Sequence, residues 1–102
     1  MSKKKKQQKR DKSVKYRMIA LAGTRCMQCG TDVGSEITWH HLKPRYAGGQ
    51  DTLDNASLLC SNCHTHIHRF QWGDPEYKQL TENILRNRER FTGLTGLIFS
   101  FD

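Results

Sequence analysis

Apolar residues recur at helical spacing in two stretches of the chain, residues 12–23 and 75–91. Asp74 followed by Pro75 is typical of a helix start, because aspartate suits the N-cap position and proline suits the first turn. A shorter helix is predicted over residues 61–70. The helix that begins at Pro75 carries its apolar positions on one face, and it is most simply explained as a helix that packs on the core.

The residues between these helices predict two short strands. Residues 35–42 are β-prone, and residues 58–59 predict a second, shorter strand. Pro44 and the glycine pair 48–49 indicate an irregular loop between the strands. The last ten residues, 93–102, are apolar enough to form an edge strand on the domain or to make a dimer contact, and the sequence does not decide between the two.

The positive charge is concentrated at the N-terminal end. The net charge of the 102 residues is +7, but residues 1–17 carry nine Lys and Arg against one Asp, and residues 18–102 carry eight against nine acids. A segment of this kind cannot bury apolar surface, so residues 1–12 are predicted to be a disordered basic tail and residues 13–102 the folded domain. The tail either binds the phosphates of a nucleic acid or only keeps the protein soluble. Its first basic cluster is Lys3, Lys4, Lys5 and Lys6.

The composition predicts a small soluble domain that needs help to fold. Apolar residues make up 35% of the chain, which limits the core, and a metal site is a common way to stabilise such a domain. No apolar run approaches the length of a membrane span, and no apolar stretch follows the basic residues at the start. We therefore expect neither export nor insertion into a bilayer.

The four cysteines form two Cys-x-x-Cys pairs, Cys26 with Cys29 and Cys60 with Cys63. Two such knuckles can direct four thiolates at one tetrahedral Zn²⁺. Disulfides are disfavoured without an export signal, and neither pair lies in the βαβ pattern of a redox motif. Gly30 suits the tight turn of the first knuckle. We predict a structural zinc ion, whose removal should unfold the domain.

The five histidines indicate a second metal site. His64 and His68 share one face of the predicted helix and can bind one ion, whereas His66 points away. His40 and His41 end the first strand, where neighbouring side chains face opposite sides, so these two cannot have the same role. With His40, His64 and His68 as ligands, the ion keeps open positions, as a catalytic metal requires, and the other histidine is free to act as a base.

Taken together, these motifs resemble the HNH endonuclease family. The shared order runs from residue 16 to residue 69: Cys-x-x-Cys-Gly, a strand ending His-His, Pro, Gly-Gly, a central Asn, and Cys-x-x-Cys-His-x-x-x-His. The resemblance implies an α+β fold, a small zinc-stapled ββα-metal (His-Me finger) domain with flanking helices. It also implies metal-dependent hydrolysis of DNA phosphodiester bonds, with 5′-phosphate and 3′-hydroxyl products, in the cytoplasm of a bacterial cell or a phage-infected host.

The resemblance also implies the roles of the site residues. It makes His41 the general base that activates water and His40 a ligand of the catalytic ion. Asn55 matches the residue that braces the loop orienting the base. His64 lies at the terminal His/Asn position of the family, and His68 follows four residues later, as in the His-rich metal sites of colicin nucleases. The cysteines match the part of the family that carries a structural zinc.

Several properties stay open at this stage. Lys43, Arg45 and Arg69 flank the site and either clamp substrate phosphates or are ordinary surface charges. Three imidazoles favour Zn²⁺, Ni²⁺ or Mn²⁺ over Mg²⁺, which prefers oxygen ligands. No element for reading base sequence is evident, so specificity is low or comes from a homodimer or a protein partner. The alternative function is a non-catalytic zinc module that binds nucleic acid.

Overall fold

Three α-helices and a two-stranded sheet make up the fold of the described residues. The computed structural model describes residues 11–95, 99 and 101. The elements, in chain order, are α1 Ser13–Ala22, β1 Thr38–His41, β2 Ala56–Leu59, α2 Ser61–Ile67 and α3 Pro75–Thr92. The strands are antiparallel, with Thr38 opposite Leu59 and His41 opposite Ala56, and α2 follows β2 after a single residue. The α+β fold with a ββα unit, predicted from the resemblance, is therefore confirmed.

The core lies where α1 and α3 pack around β2. Strand β2 is buried along its whole length, which explains its small and apolar sequence Ala-Ser-Leu-Leu. The buried apolar side chains around it come from every part of the domain, and the largest are Met18, Met27, Ile37, Leu42, Ile67, Tyr77 and Ile84. Burial of these side chains is the main favourable contribution to folding, and it ties both flanking helices to the ββα unit.

The helices largely match the sequence predictions. Helix α1 ends at Ala22 because Gly23 adopts a positive φ of 77°, and α3 begins at Pro75 with Asp74 at its N-cap position. The Asp74 carboxylate does not cap α3; it accepts the backbone N–H of Gln71 at 2.9 Å. Within the described residues, no helix is both long and apolar enough to cross a membrane.

Several predicted boundaries were wrong; the second strand, for example, begins at Ala56 rather than at residue 58. The first strand begins at Thr38 rather than at residue 35, because its partner β2 supplies only four residues, and Gly34–Glu36 form a 3₁₀ turn instead. Helix α2 ends at Ile67 rather than at residue 70. The N–H groups of Arg69 and Phe70 donate to the carbonyls of His66 and Ile67, three residues earlier. This 3₁₀ pattern tightens the final turn, after which the chain continues to α3.

Some predictions fall partly outside the described residues. Of the basic tail predicted over residues 1–12, the structure describes Asp11 and Lys12. Of the predicted edge strand over residues 93–102, the structure describes residues 93–95, Phe99 and Phe101. The two phenylalanines lie beside Trp72, with ring centroids 6.2 and 5.9 Å from that of the indole.

Candidate metal centres and active site

The two cysteine knuckles meet at one point of the domain. In the first, Gly30 has a φ of 85° and donates its N–H to Cys26 O, which closes the turn. The N–H groups of Gln28 and Cys29 donate to Cys26 Sγ, at 3.3 and 3.4 Å. Cys60 follows the end of β2, and Cys63 lies in the first turn of α2.

The four sulfur atoms are spaced as a metal requires. All of them lie within 4.8 Å of one another, and none forms a disulfide. Cys29 Sγ lies 3.8 Å from Cys60 Sγ. A tetrahedral zinc with Zn–S bonds of about 2.3 Å has sulfur atoms about 3.8 Å apart. The cluster therefore fits a four-coordinate metal such as zinc.

The thiols of this cluster differ in their tendency to ionise. The hydrogen bonds from the side chain and backbone of Thr31 lower the pKa of Cys29 to about 6. Burial raises the pKa of Cys63 above its ordinary value, and the neighbouring cysteines add to this. The Thr31 hydrogen bonds thus favour the thiolate of Cys29, whereas burial disfavours that of Cys63. A bound cation would supply the charge that Cys63 needs to become a ligand.

A second cluster consists of three histidines from β1 and α2. His40 is fully buried, and the rings of His64 and His68 have centroids 5.2 and 5.5 Å from its own. One ring nitrogen from each histidine lies within 4.8 Å of the other two. Neither nitrogen of His40 has a hydrogen-bond partner among the described residues, which is costly for a buried imidazole, and a metal bound to one of the two nitrogens would reduce this cost. The donor set therefore fits a metal with three nitrogen ligands.

Thr38 fixes the tautomer of His64. Its hydroxyl donates to Leu59 O, so its oxygen accepts the Nδ1–H of His64 at 2.8 Å and leaves Nε2 with a free lone pair. Burial, followed by the nearby His68 and His41, lowers the pKa of His64 to about 4. Burial also lowers the pKa of His40. Both imidazoles are therefore neutral at neutral pH, as metal ligands must be.

The histidine cluster opens into a depression on the surface. The depression has a volume of about 510 Å³ and is lined by Thr38, Ser61, His64, Thr65, His68 and Arg69. His66 lies on the other side of α2, where its ring packs against Phe70 with centroids 5.7 Å apart. The structure thus brings His40, His64 and His68 together with Arg69 beside them, and it leaves His66 apart.

His41 lies on the opposite face of β1 from His40. Its ring stacks on Trp39, with centroids 4.6 Å apart and planes 25° from parallel. Its Nε2 lies 2.7 Å from Asp51 Oδ1, and the side chains of His41 and Asp51 are only 12% and 15% exposed. The other Asp51 oxygen accepts the backbone N–H of Asp11 at 2.8 Å and lies 3.7 Å from Arg45 Nη1. Both ring position and ring plane of His41 are therefore fixed by neighbours.

Asp51 is the site residue that the sequence analysis missed. Burial alone would raise the pKa of Asp51, but hydrogen bonds from His41 and the Asp11 N–H, together with Arg45, hold this pKa below its ordinary value. The carboxylate is therefore ionised at neutral pH and can only accept from His41. Asp51 stands ten residues from His41 in the sequence, and only the return of the loop brings them together.

Asn55 holds that loop in place. Its side-chain oxygen accepts the N–H of Lys43 at 2.8 Å, and its amide nitrogen donates to the carbonyls of Lys43 and Gln50, at 3.1 and 3.0 Å. These bonds hold Lys43 and Gln50, the two ends of one loop, close together. Asp51 directly follows Gln50 in the chain. From α3, the buried Arg88 donates to the carbonyls on either side of Asn55, those of Asp54 and Ala56. The core helix thus supports the loop through Asn55.

The predicted phosphate-binding residues do not all face the same place. Arg69 lines the depression at the histidine cluster, and Arg45 lies beside Asp51. Lys43 faces elsewhere, with its Nζ 5.9 Å from the centre of the Trp72 ring. Lys3, Lys4, Lys5 and Lys6 lie outside the described residues.

Comparison with known proteins identifies the family of this site. The family model described as HNH endonuclease matches residues 26–70. These residues belong to the HNH endonuclease family. The resemblance predicted from the motifs is therefore confirmed, and both the cysteine and histidine clusters lie within the HNH segment.

Two relatives share parts of the chain. It is 32% identical over 84 residues to the type IV methyl-directed restriction enzyme EcoKMcrA of Escherichia coli (strain K12), an alignment that covers 76% of this chain and 30% of that enzyme. It is 39% identical over 49 residues to anaredoxin of Nostoc sp. (strain PCC 7120 / SAG 25.82 / UTEX 2576), covering 48% of this chain and 63% of that protein. The chain thus spans less than a third of the first relative and less than two thirds of the second.

Proposed function

We propose that this HNH protein is a metal-dependent endonuclease that hydrolyses phosphodiester bonds of DNA. One observation carries the proposal. A histidine held by a carboxylate, His41 with Asp51, directly follows His40 on β1, and His40 belongs to an open cluster of three histidines. An oriented base next to an open metal site is the pair of groups that hydrolysis of a phosphodiester requires.

His41 acts as the general base. The ionised Asp51 accepts the Nε2–H of His41, which leaves the lone pair of the neutral ring on Nδ1. Nδ1 takes the proton from the water that attacks phosphorus, and Asp51 stabilises the imidazolium that forms. Trp39 keeps the ring plane fixed through its stack on His41. A positioned base of this kind contributes about 10²- to 10⁴-fold to the rate.

His40, His64 and His68 would hold the catalytic ion. When bound, that ion supplies a Lewis acid beside the substrate phosphate. Because all three ligands are imidazoles, Zn²⁺, Ni²⁺ or Mn²⁺ suits the site better than Mg²⁺. The four cysteines would hold a separate structural zinc, with no coordination position left for substrate.

Basic residues bind the DNA backbone around this centre. Arg69 lines the depression beside the histidine cluster, and Arg45 lies next to the Asp51 carboxylate. The basic tail joins the domain at Asp11, whose backbone N–H donates to Asp51 itself. We assign lysines 3–6 to DNA phosphates, in a contact that weakens as salt rises. Lys43, which faces Trp72, would contact a more distant phosphate.

Cleavage of supercoiled plasmid tests the proposal. The wild type and the His41→Ala variant are compared at low salt with Mg²⁺, Mn²⁺, Ni²⁺ or Zn²⁺, after both have been shown to hold equal amounts of zinc. We expect metal-dependent nicking or linearisation by the wild type only, with DNA binding retained by both proteins. No cleavage with any metal, together with salt-sensitive binding by both, would overturn the nuclease and favour a non-catalytic nucleic-acid-binding module.

A further inference from the structure

Tyr46 is an aromatic residue that the catalytic proposal does not use. Its side chain is 71% exposed, the highest value for any large apolar or aromatic residue in the described part of the chain. It stands in the 3₁₀ turn Arg45–Ala47, inside the loop that joins β1 to β2. A large exposed aromatic ring in the loop beside a catalytic site has no role in packing the core.

The ring of Tyr46 is exposed but fixed in position. Its hydroxyl oxygen accepts the backbone N–H of Trp72 at 2.8 Å. Its turn is closed by two backbone bonds, from Ala47 N–H to Pro44 O and from Gly48 N–H to Arg45 O. Little conformational freedom is left to lose when a ligand covers the ring, which lowers the entropic cost of binding.

The surroundings of Tyr46 suit a nucleic acid. Arg45, the preceding residue, lies 3.7 Å from the Asp51 carboxylate that holds His41. Lys43 lies over the ring of Trp72, the residue whose N–H anchors Tyr46. Tyr46 is therefore linked to the candidate base through its neighbour Arg45 and Asp51, and to Lys43 through Trp72. Alternating cations and an aromatic face are the features that bind phosphates and bases along a single strand.

We propose that Tyr46 is a stacking platform for an unpaired nucleobase next to the cleaved phosphate. This inference rests on the proposed function and names its substrate class: DNA that is single-stranded or locally unpaired at the site. In an intact duplex, both faces of each base are already covered by their neighbours, so that a protein ring gains access only to a base that has left the stack.

Binding of three DNA probes to proteins in the His41→Ala background tests this inference without cleavage. The probes are a short oligothymidylate, an abasic oligomer of the same length and charge, and a fully paired duplex of that length. Stacking of one base on an aromatic ring contributes roughly five- to hundredfold in affinity. We expect Tyr46→Leu to weaken oligothymidylate binding about tenfold and to leave the abasic and duplex probes unchanged, whereas Tyr46→Phe, which keeps the ring, loses much less.

Tyr16→Leu is the matched control, because Tyr16 is the other exposed tyrosine, at 63%, and lies on α1. It should bind all three probes as the parent does, and each variant must keep its zinc and its circular dichroism spectrum. The platform would be overturned if Tyr46→Leu lost equal affinity for oligothymidylate and the abasic oligomer, or lost no affinity for oligothymidylate. An equal loss of affinity in Tyr16→Leu would overturn it as well. The plasmid assay reports separately on the nuclease: absent cleavage with the Tyr46 effect intact would reject the enzyme and retain the platform.

Discussion

The cysteine and histidine clusters share helix α2 but differ in the number of ligands that they supply. Helix α2 carries Cys63 and, in the next position, His64, so that one turn contributes to both. The cysteine cluster supplies four ligands, which closes the coordination sphere of a tetrahedral metal. The histidine cluster supplies three and opens onto a depression. An ion in the cysteine cluster would therefore stabilise the fold, whereas an ion in the histidine cluster would have coordination positions left for substrate.

We expect the dependence between the clusters to run in one direction. Cys26 and Cys29 come from the segment between α1 and β1, and Cys60 and Cys63 from the end of β2 and the start of α2. A metal there ties together segments that are far apart in sequence. The histidines join β1 to α2, and α2 follows β2, the sheet partner of β1, after a single residue. Loss of the cysteine metal should therefore destroy both sites, and loss of the histidine ion should leave the fold intact.

The largest expected effect is that of Cys63→Ser. A structural zinc contributes about 10–16 kcal/mol of apparent binding free energy, comparable to the whole stability of a small domain, about 5–15 kcal/mol. We expect the variant to lose zinc and to show an unfolded circular dichroism spectrum without denaturant. A folded, zinc-free variant would show that the core is sufficient without a metal and would remove the structural role of the cluster.

His68→Ala tests whether the fold depends on the histidine cluster. It removes one ligand of the histidine cluster and leaves the four cysteines untouched. We expect cleavage to fall at least about a hundredfold, while the zinc at the cysteines and the melting temperature stay near the wild-type values. Because His66 lies on the other side of α2, His66→Ala is the matched control and should cut as well as the wild type. Loss of folding in His68→Ala would contradict the one-way dependence.

Asp51→Asn tests how the base is held. The amide keeps the size of the side chain but removes the charge that accepts the Nε2–H of His41 and stabilises the imidazolium. Plasmid cleavage should fall about ten- to thousandfold with metal content and DNA binding unchanged. Asp54→Asn is the control, since the Asp54 side chain accepts from Thr52 in the same loop and does not touch His41. Equal activities of both variants would exclude Asp51 as a positioning residue.

The smallest expected effect is that of Thr38→Val. Valine keeps the shape of threonine but cannot accept the Nδ1–H of His64. Losing a hydrogen bond to a metal-ligating histidine lowers metal affinity by about 10- to 100-fold. A titration with Mn²⁺ should show this loss at the histidine cluster, while zinc at the cysteines is retained. The exposed Thr65 on α2 provides the control Thr65→Val, and equal Mn²⁺ affinities of the two variants would argue against Thr38 as an orienting residue.

The sequence predicted both clusters because each depends on local spacing. Two Cys-x-x-Cys pairs and a His-x-x-x-His repeat each fix their geometry within a few residues, the strand ending His-His supplied His40, and the family resemblance added Asn55. The helices were also predictable from periodicity, apart from the early end of α2.

Asp51, Trp39 and the start of β1 could not be predicted, because each depends on how distant segments pack. Asp51 reaches His41 only through a loop that Asn55 closes, and Arg88, from another helix, supports that closure. The first strand begins at Thr38 because Thr38 pairs with Leu59, the last residue of β2. Residues 35–37 carry no signal of that limit in their own sequence. Such features depend on tertiary pairing, which hydrophobic periodicity does not encode.

The most direct test of the division between the clusters is a stepwise zinc titration of metal-free protein, followed by Mn²⁺, with folding and plasmid cleavage measured at each step. The account predicts that folding is complete after one equivalent of zinc per chain, that cleavage begins only when the second ion is added, and that His68→Ala folds with the first and never cuts. Full cleavage with one ion per chain, or folding that requires both ions, would contradict the separation of a structural cluster from a catalytic one.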